Sequence, residues 1–556
     1  MDGLERLAGA VLAAGFPGRT VDAHARRLIE GLHVQNIVLF ARNIDSYGQL
    51  GRLCSDLQAL ARECGQTLPL LIAADQENGA VGRFGPDVPA LPGAMALGAT
   101  GDPEHARRAG EVTGRLLLGA GVNMNLAPVL DVNNNPRNPV IGIRSFGDDA
   151  ESVGRFGAAF ALGLQSAGVA ACGKHFPGHG DTRTDSHLDL PVIGHGLERL
   201  EQVEWVPFQR AVAAGIDCVM TAHVVFPALE PGGLPATLSP AVITGLLRGR
   251  FGFEGVVVTD CMEMKAVADT VGVAAGVVQA LAAGADLVLV SHTLEEQSAA
   301  HAAVVEAVRS GRLPRSRLEE AAGRVAALKR KRLRQDQDAP LAAAKGPGQG
   351  GAPRAAVHSR AGDAVDELFA DARETQERIA QAAVTVVGDE RRLLPLLRPG
   401  VKRALLIVAR SGAVLQVSGT SEAGGRIAEV WRKRSPHVST VVREYGGGML
   451  FGPSAAELDA ADAILLCVAG WPSAEFAAWA RGLVGSGRNV VAVALRSPYD
   501  LAALPQGATR LALYEDSEPM VRAAVAVLAG QATAIGRLPV SVAPQSSRQT
   551  SGGIGH

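Results

Sequence analysis

The chemistry-bearing residues of this 556-residue chain crowd into residues 173–191, GKHFPGHGDTRTDSHLDLP, where three histidines, three aspartates, a lysine and an arginine sit among glycine and proline. Three kinds of chemistry compete for such a stretch. His175 and His179 have the i, i+4 spacing of a zinc-binding helix, but Pro177 and Gly178 between them prevent the shared helical face that such a pair needs. A structural loop of mutually satisfied histidines and aspartates is the plainer alternative. The third reading is an acid/base pair. In an extended segment residues i and i+2 point to one side, so the Asp185 carboxylate can reach the His187 ring, hold its tautomer and favour the protonated form. An imidazole tuned in this way can give a proton to a leaving oxygen and take one from an incoming nucleophile near neutral pH. A second stretch, 255-GVVVTDCMEM, places Asp260 after a run of β-type residues, where a carboxylate can attack an anomeric carbon and form a glycosyl ester. Glu263 is a competing carboxylate. The sequence places no histidine or helix terminus to activate Cys261, which is read as packing.

Residues of this kind need a scaffold that gathers them. Between residues 10 and 292 eight apolar runs recur: 10-AVLAAGF, 36-NIVLFAR, 69-PLLIAAD, 122-VNMNLAPVLDV, 169-VAACGK, 218-CVMTAHVVF, 255-GVVVTD and 286-DLVLVSH. Helix-type segments such as 103-PEHARRAGEVTGRLLLGAG separate them, with glycine where a left-handed cap is needed. Strands buried on both faces read as continuous apolar runs, and the alternation predicts an α/β protein with a (β/α)8, TIM-like barrel; a doubly wound open sheet is the alternative. Polar residues at the strand ends favour the barrel. Asp75, Asp131, Lys174, His175, His223 and Asp260 all fall where barrel enzymes carry their chemistry. Asp75, Arg83 in the loop after it, and Arg144 beyond another strand offer the directional hydrogen bonds that hold sugar hydroxyls and an N-acetyl group. Taken singly, each reads as an ordinary loop ion pair. His223 is grouped with them as a substrate-binding residue.

The last barrel helix is expected to start at Ser316, with Glu319 completing a capping box, and to run through 317-RLEEAAGRVAALKRKRL. Its basic end suits the negative pole of the helix dipole. The barrel is assigned residues 1–334, followed by a linker over 335–363 rich in Ala, Gly, Pro, Gln and Asp. The run 346-GPGQGG satisfies GxGxxG but neither follows a strand nor opens a helix, so it is not read as a dinucleotide site. Residues 364–545 are expected to form a smaller α/β sandwich domain with strands at 383-AVTVV, 403-RALLIVA, 463-AILLCVA and 489-NVVAVAL, and 546–556 a disordered tail. The formal net charge of −2 and aromatic content of 4% exclude a nucleic-acid surface. No run reaches the roughly 18 apolar residues of a membrane helix. The six scattered cysteines form no CxxC pair and read as reduced, and the first residues lack a leader pattern, so a cytoplasmic protein is expected. No metal or cofactor is expected, and nothing specifies an oligomeric state.

Together these segments resemble glycoside hydrolase family 3, in its bacterial β-N-acetylglucosaminidase branch of two-domain form. The resemblance covers nearly the whole chain through 15-GFPG, 37-IVLFARNI, 75-DQENG, 127-APVLDVNNNPRNPVIGIRSFG, 174-KHFPGHGDTRTDSH, 219-VMTAHV and 258-VTDCMEM, with 496-RSPYDL, 514-YEDSE and 536-GRLPV in the second domain. It implies a retaining, exo-acting hydrolase of terminal β-linked N-acetylglucosamine, from peptidoglycan fragments or chitin-type oligosaccharides. It also implies Asp260 as the nucleophile, His187 as the acid/base oriented by Asp185, and Asp75, Arg83, Arg144, Lys174 and His175 as sugar contacts. A phosphorylase using phosphate as acceptor is the first alternative, because a neutral imidazole does not repel an incoming anion as a carboxylate would. A non-catalytic sugar-binding barrel is the second. One departure stands out. The family usually has DQEGG, whereas Asn78 occupies the first of these glycines, and asparagine is the replacement best able to keep a positive φ.

Overall fold

Each of the eight apolar runs carries a strand. The computed structural model describes residues 3–184, 190–333, 354–398, 400–410, 423–445 and 453–542. The strands β1 (Leu12–Ala14), β2 (Asn36–Leu39), β3 (Leu71–Ala74), β4 (Met124–Asn125), β5 (Ala170–Phe176), β6 (Cys218–Thr221), β7 (Val256–Cys261) and β8 (Leu287–Val290) pair in parallel and in chain order. The ring closes where β1 meets β8, with Ala13 opposite Leu289. The period of 2 explains why no polar alternation is visible, because both faces are buried. Ala13, Val38, Leu71, Ala73, Met124, Cys172, Met220, Val258 and Leu289 fill the interior. Their chain neighbours Leu12, Ala14, Ile37, Ile72, Val219, Val257 and Val288 pack outward against the helices. Two of those helices, Pro103–Gly119 and Ala150–Ser166, meet backbone to backbone: a Cβ on Gly163 would lie 2.0 Å from the Arg107 carbonyl oxygen.

The helix Arg315–Arg332 closes the barrel floor. Val325 and Leu328 join the interior cluster, and the basic residues hold two aspartates that precede strands. Asp286, fully buried before β8, receives Arg248, Arg317 and Arg324; Asp217, before β6, receives Lys331 and Arg332. Lys329 is 1% exposed and donates from Nζ to the Gln35 carbonyl at 2.7 Å. The basic run is therefore tied to specific carboxylates as well as to the dipole. The expected cap is corrected: the helix begins at Arg315 after Pro314, with no side-chain cap, because proline presets the helical entry. Ser316 lies inside the first turn, and Glu319 pairs with Arg315 at 2.9 Å.

The chain divides into one compact unit of residues 1–98 and 102–379 and another of 99–101 and 380–556. The helix Arg354–Ala383 thus lies almost wholly with the barrel, taking in residues expected in the linker and in the second domain. Its apolar stripe explains this: Val365, Leu368, Phe369 and Ala372 enter the barrel's outer core, and the Phe369 ring packs edge-on against Tyr47 at 5.1 Å. Asp371 pairs with Arg108 and Arg115. The second unit is a six-stranded sheet in the order β11-β10-β12-β13-β14-β9, from β9 (Thr385–Val386), β10 (Arg403–Arg410), β11 (Ser439–Tyr445), β12 (Ala463–Ala469), β13 (Val490–Ala494) and β14 (Thr509–Ala512). All pairs are parallel except β14 with β9. Among the described residues no helix is long and apolar enough to cross a membrane.

Candidate active site

Lys174 is a strand residue that the barrel turns inward at its C-terminal mouth, and at 2% exposure its charge must be met by protein. Its Nζ lies 2.7 Å from Asp75 Oδ1 and 2.7 Å from Glu77 Oε1. Glu77 in turn receives Arg144 through two bonds, Nε at 2.9 Å and Nη2 at 2.8 Å, the fork geometry that favours arginine over lysine. Burial works against the charge on Glu77, but Arg144 and then Lys174 overcome it and hold the carboxyl far below its ordinary range. Lys174 is kept protonated in the same way, burial being outweighed by Asp75 and Glu77. Arg83 extends the chain of charges, with Nη2 3.9 Å from Asp75 Oδ2, while its buried Nε has no protein partner. Asn78 adopts φ +70°, the left-handed conformation expected of it. Its side chain braces the turn, donating to Thr113 Oγ1 at 2.9 Å and accepting from Gln76 Nε2 at 3.1 Å.

Beside this network the turn after β5 wraps around Asp131, which is fully buried. The backbone N–H of His175 points at both carboxylate oxygens (3.2 Å each), that of His179 at Oδ1 (2.7 Å), and His175 Nδ1 lies 2.7 Å from Oδ2. Burial opposes the Asp131 charge; His175, by charge and hydrogen bond, prevails and holds the carboxyl below its ordinary range. His179 is a structural neighbour: Nδ1 meets Thr182 Oγ1 at 2.8 Å, and burial, then His175, pushes its ring down to about 4. Gly180 is squeezed against the preceding strand connection, where a Cβ would fall 1.7 Å from the Val132 carbonyl oxygen. Asn138 Nδ2 ties the same turn down through the His179 and Gly180 carbonyls, both at 2.9 Å. Farther along, His195 Nε2 lies 2.6 Å from Asp181 Oδ2.

The third group lies at the end of β7. Asp260 Oδ1 accepts its neighbour's N–H, from Cys261, at 2.7 Å. Burial would raise its carboxyl; the charges of His175 and His223, the Cys261 N–H and Lys174 lower it below the ordinary carboxylate range. Glu263 differs. Its Oε2 accepts the N–H groups of Ser291 (2.6 Å) and His292 (2.7 Å), and its Oε1 accepts the N–H and hydroxyl of Thr293 (2.9 Å each). Glu263 is thus built into the loop after β8, bound by four donors. Burial pushes the Cys261 thiol up to about 12, which fits a packing role. His223 uses both ring nitrogens within the protein, Nδ1 with Thr237 Oγ1 and Nε2 with the Cys261 carbonyl, each at 2.9 Å.

The barrel mouth therefore gathers Asp75, Arg83, Arg144 and Lys174 into one charged network. It also sets His175, His223 and Lys174 close enough to Asp260 to alter its ionisation. Asp185 and His187 lie outside the described residues. Two residues with central places carried no role in the sequence reading: Glu77, whose signal was its i, i+2 spacing from Asp75, and Asp131, visible only as a polar strand end. Among the described residues Cys261, Glu263 and His292 bring possible ligand atoms within 4.8 Å of one another. Glu263 is already bound by those four donors, and Arg42 Nη1 lies 3.1 Å from His292 Nδ1, so the cluster is a hydrogen-bonded network under a neighbouring positive charge.

A profile of the glycosyl hydrolase family 3 N-terminal domain matches residues 9–328. Beta-hexosaminidase A of Pseudoalteromonas piscicida is 33% identical over 333 residues, which span 56% of this chain and 56% of that protein. A beta-N-acetylglucosaminidase/beta-glucosidase of Cellulomonas fimi is 31% identical over 552 residues, covering 92% of this chain and 89% of its own. The solved structure of a glycoside hydrolase family 3 beta-N-acetylglucosaminidase from Paenibacillus sp. str. FPU-7 superposes with a TM-score of 0.80 at 38% identity, covering 97% of this chain and 99% of its own.

Proposed function

The chain belongs to glycosyl hydrolase family 3, and from that premise we propose a retaining, exo-acting β-N-acetylglucosaminidase that releases terminal N-acetylglucosamine from peptidoglycan fragments or chitin-type oligosaccharides. Asp260 attacks the anomeric carbon as the bond from that carbon to the leaving oxygen breaks. His187, oriented by Asp185, gives the leaving oxygen its proton. His187 then takes a proton from water, the water oxygen bonds to the anomeric carbon, and Asp260 departs as a carboxylate. Asp75, Arg83, Arg144, Lys174 and His175 hold the sugar's polar groups. His223 supports the site by tying the end of β6 to the Cys261 carbonyl beside Asp260. The unpaired state of all six cysteines supports a cytoplasmic setting.

The observation that carries this reading is the contrast between two carboxylates three positions apart. Glu263 is bound by four donors from the next loop, while Asp260 is kept ionised by cations at the barrel mouth. Asp260→Ala is expected to abolish turnover of an aryl β-N-acetylglucosaminide, with azide restoring it as the α-glycosyl azide. Glu263→Gln is expected to keep catalysis while losing about 1–3 kcal/mol of stability, since an amide nitrogen cannot accept the loop's N–H groups. The opposite pattern would sink the assignment. His187→Ala is expected to slow substrates with poor leaving groups far more than activated ones, and equal losses on both count against its role. Adding phosphate and looking for a sugar 1-phosphate separates water from phosphate as the acceptor.

A further inference from the structure

We propose that Asp131 is a positioning residue for the reaction: it takes the Nδ1 proton of His175 in a hydrogen bond and so fixes that ring's tautomer and orientation beside Asp260. The inference rests on the reading of Asp260 as nucleophile. Asp131 has no exposure to solvent, and its carboxylate accepts the two backbone N–H groups of the turn as well as facing the ring nitrogen. A carboxylate held ionised in this way accepts hydrogen bonds and donates none. The proton at the 2.7 Å contact therefore sits on His175 Nδ1, and Nε2 is left outside this contact.

The consequence passes to Asp260 through charge. Once burial is set aside, His175 is the leading influence holding the Asp260 carboxyl down, ahead of His223 and Lys174. The other groups around this pair are committed elsewhere. Lys174 is shared between Asp75 and Glu77, and His223 bonds Thr237 and the Cys261 carbonyl. The His179 ring, edge-on to His175 at 5.7 Å, is kept neutral by burial. Arg144 also acts on this region, but its guanidinium forks onto Glu77. His175 is thus the neighbour of Asp260 whose ring is held by the buried Asp131 carboxylate. During breakdown of the glycosyl ester it stabilises the negative charge that returns to the Asp260 carboxylate.

Asp131→Asn tests this, because a carboxamide nitrogen facing the ring would donate to Nδ1 and drive the proton to Nε2. The variant is expected to lose at least about a hundredfold in kcat/KM, in the range of a misassigned acid/base partner. The acid limb of its pH–rate profile is expected to move to higher pH, as Asp260 loses a favourable neighbour. In a His175→Gln background the same substitution is expected to add little, whereas full additivity would mean that Asp131 acts only through stability. A second readout is the nitrogen NMR spectrum of the histidine-labelled parent enzyme, with the His175 signals assigned by their loss in His175→Gln. A protonated Nδ1 is expected, and an Nε2–H tautomer with bare Nδ1 would overturn the proposal. Retained turnover in Asp260→Ala would remove the nucleophile reading while leaving the tautomer result standing, so the two failures are distinguishable.

Discussion

At the scale of single residues, the site is ordered by carboxylates that serve other side chains. Glu77 carries the bidentate Arg144 and half of the Lys174 contact, all at 8% side-chain exposure or less. Glu77→Gln removes the carboxylate that Arg144 and Lys174 share and leaves Asp75 to meet Lys174 alone. The expected cost is about 3–5 kcal/mol of folding free energy, as for other broken buried pairs. It should be read as a lower denaturant midpoint at unchanged slope, together with a raised KM. A loss below 1 kcal/mol would mean that Asp75 alone neutralises the network. The strand-end positions of Asp75, Lys174, His175 and Asp260 were legible because an apolar run that stops at a polar residue marks where a strand reaches the mouth. The roles of Glu77 and Asp131 were not legible, since their partners lie 67 and 44 positions away and only the closed barrel brings them together. Residue spacing alone left Asp260 and Glu263 as competing carboxylates, since the donors that bind Glu263 lie on the loop after β8, 28 to 30 positions away.

At the scale of elements, the floor helix Arg315–Arg332 presses an ammonium into an apolar setting. Burial alone pushes Lys329 down to about 7 from 10.5. The unfolded chain therefore holds a proton between those values that the folded chain lacks, and stability rises with pH across that window by up to about 1.4 kcal/mol per unit. Lys329→Met is expected to remove this slope and to be more stable than the parent at pH 7. It forfeits about 1 kcal/mol for the hydrogen bond to Gln35, whose carbonyl still accepts the Leu71 N–H. Urea midpoints measured from pH 7 to 10 decide it; parallel curves for parent and variant would contradict the buried charge. The helix itself was legible from its sequence and its start was not, because Pro314 opens it without the side-chain cap the pattern suggested. Strand β11 escaped notice for a related reason: 439-STVVREY lies at the sheet edge and mixes exposed polar positions with apolar ones.

At the scale of the whole molecule, the first compact unit extends to Ile379, well past the barrel's floor helix. The helix Arg354–Ala383 was expected in the linker and second domain because composition marks where a chain becomes polar, not which core an amphipathic face will join. Phe369→Ala in the full chain is expected to cost about 3–5 kcal/mol, the range for losing a buried aromatic ring. The loss should fall on the barrel unit's unfolding transition, followed by loss of activity, and leave the second unit's transition in place. Movement of the second transition instead would reassign the helix.

The turn at Asn78 reaches beyond this one molecule. Its left-handed backbone would cost a glycine nothing sterically, and here the asparagine amide is locked to Thr113 on the helix Pro103–Gly119. Positions 78 and 113 should therefore drift together through the lineage. Descendants with glycine at the first are free to lose the hydroxyl at the second, whereas those with asparagine keep serine or threonine there. A pairwise count across diverged genomes would reveal that bond as a historical constraint, or show that the two sites changed without regard to each other.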